Sequence, residues 1–324
     1  MKIKNNISLY IITAFLLFFN AIMLIFPKEI FFGAKNGLIL WFEKVIPALL
    51  PFMTVTNCLA AIDFPRFFGR LIQPLTIGLF DLTGEEAFPL ISGLGAGYPM
   101  GAKTTAQLYK NGCITKSTAQ RLLLFCNNPG ALFITGTVGA GVFGDAKTGY
   151  FLVFCCYLPP LLLAVLSGLF APPAKPDLTY TPPKPFTQKI FAAAVSDSIR
   201  SVLMIGGYII IFSVISAVFE RLCVFDGLSL LFAPLGLPRS LNKALSMGLL
   251  EMTNGCALAN GRGKIYTASA AAILGWGGLS VHAQSLEFTA DTDLNTAYYF
   301  AGRLICCVLG FMTAYFTYPV FMGG

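Results

Sequence analysis

Hydrophobic residues in this chain run together in long blocks, at 7–26, 122–143, 150–170 and 202–219, with polar residues gathered between them. Each block is about as long as the ~20 residues a helix needs to cross a bilayer's hydrocarbon core, so each predicts a transmembrane helix. The first block follows Lys2 and Lys4, the arrangement of an export signal, but it is long and aromatic and lacks an A-x-A-like exit. It predicts a retained first helix.

Between the third and fourth blocks the pattern changes. Pro172, Pro173, Pro176, Pro182, Pro183 and Pro185 alternate with Lys175, Lys184 and Lys189, opposed only by Asp177. That stretch is too polar and proline-rich for a membrane helix and predicts a connecting loop, its lysines favouring the cytoplasmic side. The flanking halves show a weak likeness in order: a long helix, an interrupted stretch, a glycine-broken apolar segment and a closing helix. These fall at 38–62, 71–108, 119–143 and 149–170, then at 195–222, 228–260, 266–286 and 297–320. The expected organisation is a transmembrane helix in 1–30, a first repeat in 31–171, a loop in 172–190 and a second repeat in 191–324. The fold class is all-α, a polytopic transmembrane bundle with broken or re-entrant helices. If the interrupted stretches re-enter from one side, three crossings separate the starts of the halves and the second is inverted. The basic residues of the first half fit that arrangement, whereas Arg239, Lys243, Arg262 and Lys264 fit a parallel one, and both stay open.

Composition sharpens the class. Of 324 residues 56% are hydrophobic and 11% charged, against about 25% charged in soluble domains, and mean hydropathy is +0.73. The net charge of +7 comes from 22 Lys and Arg against 15 Asp and Glu. In a membrane protein such an excess reports cytoplasmic loops and anionic headgroups, and no nucleic-acid motif accompanies it. Nine cysteines and one histidine include no C-x-x-C and no metal-ligand spacing, so no metal and no cofactor are expected and the thiols read as packing residues. No Ser/His/Asp set points to an enzyme.

Three polar interruptions carry the candidate chemistry. In 92–103 four glycines and Pro99 forbid a regular helix; Ala102 and Pro99 also spoil any phosphate-binding loop. The stretch is either a helix break presenting its backbone, Tyr98 and Lys103 to a ligand, or a close-packing surface. Asn127 and Asn128 sit beside Pro129 and Gly130 within an apolar run, offering paired donors and acceptors to a solute or acting as interhelical glue. Glu251, with Thr253 and Asn254, lies in the second half's counterpart of the first stretch. A carboxylate there couples transport to a proton or cation, or pairs with Lys103 or an arginine. His282 is a titrating group or a packed one.

The run Gly97-Tyr98-Pro99-Met100-Gly101-Ala102-Lys103, the run 126–139 around Asn127-Asn128-Pro129-Gly130, and Thr253-Asn254-Gly255 after Glu251 resemble the YlbJ-like family of sporulation integral membrane proteins. That family belongs to the "Gate" or nucleoside-recognition group, which also contains nucleoside transporters and the ferrous iron transporter B permease. The likeness covers most of the chain from about Leu38. Pro129 and the Gly275-Trp276-Gly277-Gly278 run depart from the pattern, the latter standing where an asparagine pair would be repeated. The resemblance implies two Gate-like repeats and a role in spore cortex formation, and it names no solute. The resulting expectation is a multi-pass protein of the bacterial inner membrane, a permease-like solute transporter whose substrate meets Tyr98, Lys103, Asn127, Asn128, Gly130, Glu251, Thr253 and Asn254. Its partners would be membrane lipids, a small polar solute, and further copies of itself or sporulation membrane proteins. The alternative is a scaffold for sporulation or envelope assembly that transports nothing.

Overall fold

A computed structural model describes residues 2–174 and 184–323, without the side chains of residues 2–8, 15, 44, 48, 65, 66 and 68. Lys175, Pro176, Asp177, Pro182 and Pro183 of the expected loop, and the side chains of Lys2, Lys4 and Arg66, therefore lie outside the described residues. Among those described, the regular elements are helices: α1 (Lys2–Ile25), α2 (Pro27–Leu40), α3 (Ile46–Ala61), α4 (Phe64–Phe80), α5 (Phe88–Ala96), α6 (Met100–Lys110), α7 (Lys116–Phe125) and α8 (Ala146–Gly168). They continue with α9 (Gln188–Arg221), α10 (Val224–Ser229), α11 (Arg239–Leu250), α12 (Met252–Leu258), α13 (Lys264–Trp276), α14 (Gly278–Glu287) and α15 (Ala297–Met322). Trp41–Val45 and Phe133–Phe143 are π-helical.

Among the described residues α8, α9 and α15 are each long and apolar enough to cross a membrane, and the bent pair α1–α2 makes a fourth if counted as one span. The 34 residues of α9 extend about 51 Å at 1.5 Å per residue, more than a bilayer core. Caps mark where two of these spans begin. Asp145 accepts from the backbone N–H groups of Lys147 (3.1 Å) and Thr148 (2.9 Å) ahead of α8, and Thr187 accepts from Ile190 N–H (3.3 Å) ahead of α9. Large apolar side chains stay exposed along the spans, among them Leu203 and Ile211 on α9 and Leu304, Val308 and Phe316 on α15, as lipid-facing positions should be.

Apolar runs that look continuous in sequence are divided. The 122–143 block breaks at Cys126–Gly130, and 38–62 becomes α2, the π turn and α3, where Pro47 and Pro51 withdraw backbone donors. Helix directions follow from the contacts at the two ends. One end holds Lys116 paired with Asp293 (2.8 Å), Lys110 with Asp291 (3.5 Å) and Lys184 with Asp63 (2.8 Å). The Lys116 ammonium and the Tyr109 hydroxyl, both hydrogen-bonded to Asp293, hold that carboxyl below its usual range. At the opposite end Lys264 lies over the Tyr315 ring (4.3 Å), and Phe151 meets Phe321 (ring centroids 5.4 Å).

Between these ends α3 and α8 run toward the Lys116 end, while α9 and α15 run away from it. The α5–α6 hairpin enters from the Lys116 end, turns at Gly97–Pro99 and returns. The α11–α12 hairpin does the same from the Lys264 end, turning at Glu251. The broken segment α7/133–143 runs from the Lys116 end to the Lys264 end, and α13–α14 runs the other way. Small residues let these elements lie close: Ala268, Ala270 and Ala271 of α13 are buried beside α15, and a Cβ on Gly302 of α15 would stand 1.8 Å from the Leu124 carbonyl oxygen.

Candidate functional site

The glycines of the first interruption are explained by what fits between them. The carbonyl of Cys126, first residue of the Cys126–Gly130 break, lies in the notch of the α5–α6 hairpin: a Cβ would come 1.7 Å from that oxygen on Gly93 and 1.9 Å on Gly101. Gly97, at φ +85°, would place a Cβ 2.4 Å from Gly130 N, so tip and break touch backbone to backbone. The second half repeats the contact. A Cβ on Gly278 would lie 3.0 Å from Leu250 O and 3.1 Å from Met252 N at the tip of α11–α12, and one on Gly277 would lie 3.3 Å from the Tyr98 hydroxyl. The four interruptions meet at one place near the middle of the bundle.

A cavity opens there. Its polar lining residues are Tyr98, Glu251, Thr253, Ser280 and Gln284, and with Gly95, Gly97 and Gly130 they stand among apolar ones: Leu49 and Phe52 of α3, Ile205 and Ile209 of α9, and Leu132, Phe133, Met252 and Val281. Glu251 is 4% exposed and caps α12, its Oε2 accepting from Asn254 N–H at 2.8 Å. Gln284 Nε2 donates to Ser280 Oγ (3.2 Å). The Tyr98 hydroxyl donates to the Leu274 carbonyl, tying the α5–α6 tip to α13.

Of the eight residues singled out from sequence, Tyr98, Gly130, Glu251 and Thr253 line this cavity. The other four stand elsewhere. Asn127 accepts from Ala102 N–H (3.3 Å) and donates to Ser285 Oγ (2.8 Å) and Tyr299 OH (3.4 Å), joining α6, α14 and α15. Asn128 donates to Phe125 O (2.7 Å) and accepts from Arg303 Nη2 (3.3 Å). Both asparagines are fully buried behind the wall. Asn254 meets Glu251 through its backbone N–H, and Lys103 donates to Ser201 Oγ (3.1 Å) and Asn57 Oδ1 (3.5 Å), away from Glu251.

Ser280 and Gln284 join the cavity lining without standing out in the sequence, and Arg303 stands behind the wall beside Asn128. The first two stand i, i+4 on α14 and share its polar face, a spacing visible in sequence. Arg303 is a lone cation in the apolar run of α15, which marks a functional or paired group in a membrane segment. It is fully buried; Nη2 has Asn128 and, at 3.6 Å, Cys306 Sγ, while Nε and Nη1 have no hydrogen-bond partner among the described residues. A buried cation with two unpartnered nitrogens carries a desolvation cost that an apolar residue of similar length does not, a gain set against the one bond lost to Asn128. Arg303→Met is accordingly expected to unfold at the wild-type temperature or above in detergent. A loss of several degrees would mean that the guanidinium holds the fold together. His282, buried, shares Nδ1 with Tyr299 OH (2.9 Å) and packs edge-on against Trp276 (4.3 Å between centroids).

The sporulation integral membrane protein YlbJ of Bacillus subtilis (strain 168) is 30% identical over a 328-residue alignment that takes in 93% of this chain and 80% of that protein. The chain belongs to the YlbJ family. No protein-family model matches it, and no solved structure is significantly similar. Membership of the YlbJ family and the long apolar helices agree: this is a multi-pass integral membrane protein. The 93% coverage takes in both helical hairpins and both broken segments, so the converging interruptions lie within the part shared with YlbJ.

Proposed function

We propose that this protein is a permease-like carrier of a small polar solute, acting in sporulation as its relative's name indicates, with Glu251 as the coupling carboxylate. The observation that carries the reading is the meeting of four helix interruptions at one cavity with a buried carboxylate in its wall. A broken helix in a membrane leaves backbone groups to be satisfied, and it persists where those groups line a cavity or meet a ligand. The lining suggests the chemistry: the Glu251 carboxylate and the Gln284 amide offer acceptors within a mainly aliphatic and aromatic wall, which suits a compact solute with donor groups on a largely apolar body.

The opposed directions of α3 and α9, α8 and α15, and the two hairpins support reading 31–171 and 191–324 as inverted Gate-like repeats. Such a pair gives two nearly equivalent conformations, one open at each end, and a site midway between them is then reached alternately. A thermal-unfolding screen of the purified protein with nucleosides, divalent metal ions and cell-wall precursors tests the reading. One class is expected to raise Tm in a saturable manner, since selective binding at 100 times Kd adds about 2.7 kcal/mol to stability. No shift with any of the three would favour a scaffold.

A further inference from the structure

A second, polar groove opens at the Lys116 end, lined by Asn57 and Ala60 of α3, Thr104 and Gln107 of α6, and Ala194 and Asp197 of α9. Further along, the central cavity is lined by Leu49 and Phe52 of α3, by Ile205 and Ile209 of α9, and by Gly97 and Tyr98 of the turn that leads into α6. On each helix the residues between the two openings form one layer. Met53 and Met100 are fully buried there and Val202 nearly so, and Lys103 reaches from α6 to Ser201 Oγ (3.1 Å) and Asn57 Oδ1 (3.5 Å). Phe288, at the exit of α14, covers the ammonium at 5.8 Å.

We propose that this layer of Met53, Met100, Val202 and Lys103 is a closed gate between groove and cavity, and that a solute reaches Glu251 from the Lys116 end when α6 parts from α3 and α9. The proposal rests on the permease reading. Three features suit a barrier that opens. Methionine side chains repack at small cost. The lysine's hydrogen bonds go to neutral hydroxyl and amide groups that water replaces readily, and the Asp197 carboxylate of the groove acts on its charge from a distance without a direct ion pair. α3 packs along α9, whereas neither makes an extended contact with α6. The layer thus lies between α6 and the α3–α9 pair, which are otherwise joined through α5 and α14, and its polar half supplies a hydrated passage once the methionines swing aside.

The test is access to the cavity from a known face, with the exposed and half-buried thiols Cys58, Cys113, Cys223 and Cys307 replaced by alanine. Ser280→Cys then reports the cavity, Asn111→Cys marks the Lys116 face and Lys147→Cys the opposite one. With a membrane-impermeant methanethiosulfonate added at the Lys116 face, Ser280→Cys should react slowly, and Met53→Ala with Lys103→Ala should raise its rate by ~10-fold or more. If that double variant does not accumulate, Met53→Ala alone should give a rise of ~3-fold. An unchanged rate, no reaction from either face, or a rise only from the Lys147 face overturns the proposal. A solute-dependent Tm shift without the rise keeps the permease and removes this gate. The rise without any shift keeps the passage and removes the permease.

Discussion

Glu251→Gln is expected to abolish movement of the solute across proteoliposome membranes while the protein still folds and inserts. The substitution keeps size and shape and retains an acceptor oxygen for the N–H of Asn254, now 2.8 Å from Oε2, so the cap on α12 survives in weaker form. Replacing a cap by alanine costs typically ~1 kcal/mol, and the isosteric amide should cost no more. What is lost is the charge and the capacity to take up and release a proton, and a carboxylate in an apolar membrane interior is retained where that capacity is used. Flux should fall by ~100-fold or more, the scale on which removal of a general acid or base acts, with Tm within a few degrees of wild type. Flux at the wild-type rate would take Glu251 out of the mechanism. A folded protein is the control that separates this result from simple misassembly.

Gly101→Ala should have the opposite profile, a loss of the folded protein itself. Its new methyl would stand 1.9 Å from the Cys126 carbonyl oxygen and 2.4 Å from the carbonyl carbon, with Asn127 Cα at 3.0 Å. Those neighbours are backbone, and the carbonyl is clamped from the other side by Gly93, where a Cβ would be 1.7 Å away. No side chain can swing aside, so the hairpin must move off the break by more than an ångström, separating Gly97 from Gly130 as well. Overpacking costs ~1–3 kcal/mol where side chains can adjust and more where they cannot; each 1.4 kcal/mol is tenfold in the folded population. Membrane-inserted, detergent-stable protein should drop by ~10-fold or more. Gly95→Ala, where a Cβ meets nothing within 4 Å, should be close to neutral. Equal behaviour of the two variants would mean that the notch is not as tight as described.

The membrane class and the places where helices break were legible in the sequence, because length of apolar run, proline and glycine are local signals. Gly97 to Pro99, Asn127 to Gly130, Glu251 and Gly277 were all recognisable as interruptions before any contact was known. Which polar groups face the cavity was not legible, since that depends on rotation about the helix axis and on which break meets which. Asn127 and Asn128, adjacent in sequence and conspicuous in an apolar run, turn to Ser285, Tyr299, Phe125 and Arg303 behind the wall. Lys103 shares a motif with Tyr98, yet the first turn of α6 carries it away from the tip to the layer with Ser201 and Asn57. Ser280 and Gln284 are ordinary as single residues and become informative only once α14 is known to start at the convergence point. Arg303 carries a plain sequence signal, a single cation in the α15 run, although nothing around it in the sequence forms a motif.

The central claim is that the meeting of the four breaks holds a solute beside Glu251. Thr253→Cys, in the same thiol-depleted background, reports on that space directly through its rate of modification by a small aqueous thiol reagent, with and without the solute class that raises Tm. The expected result is modification from at least one face, slowed ~10-fold or more when the solute is present near 10 times its Kd. No modification from either face, or a rate indifferent to the solute, would contradict it.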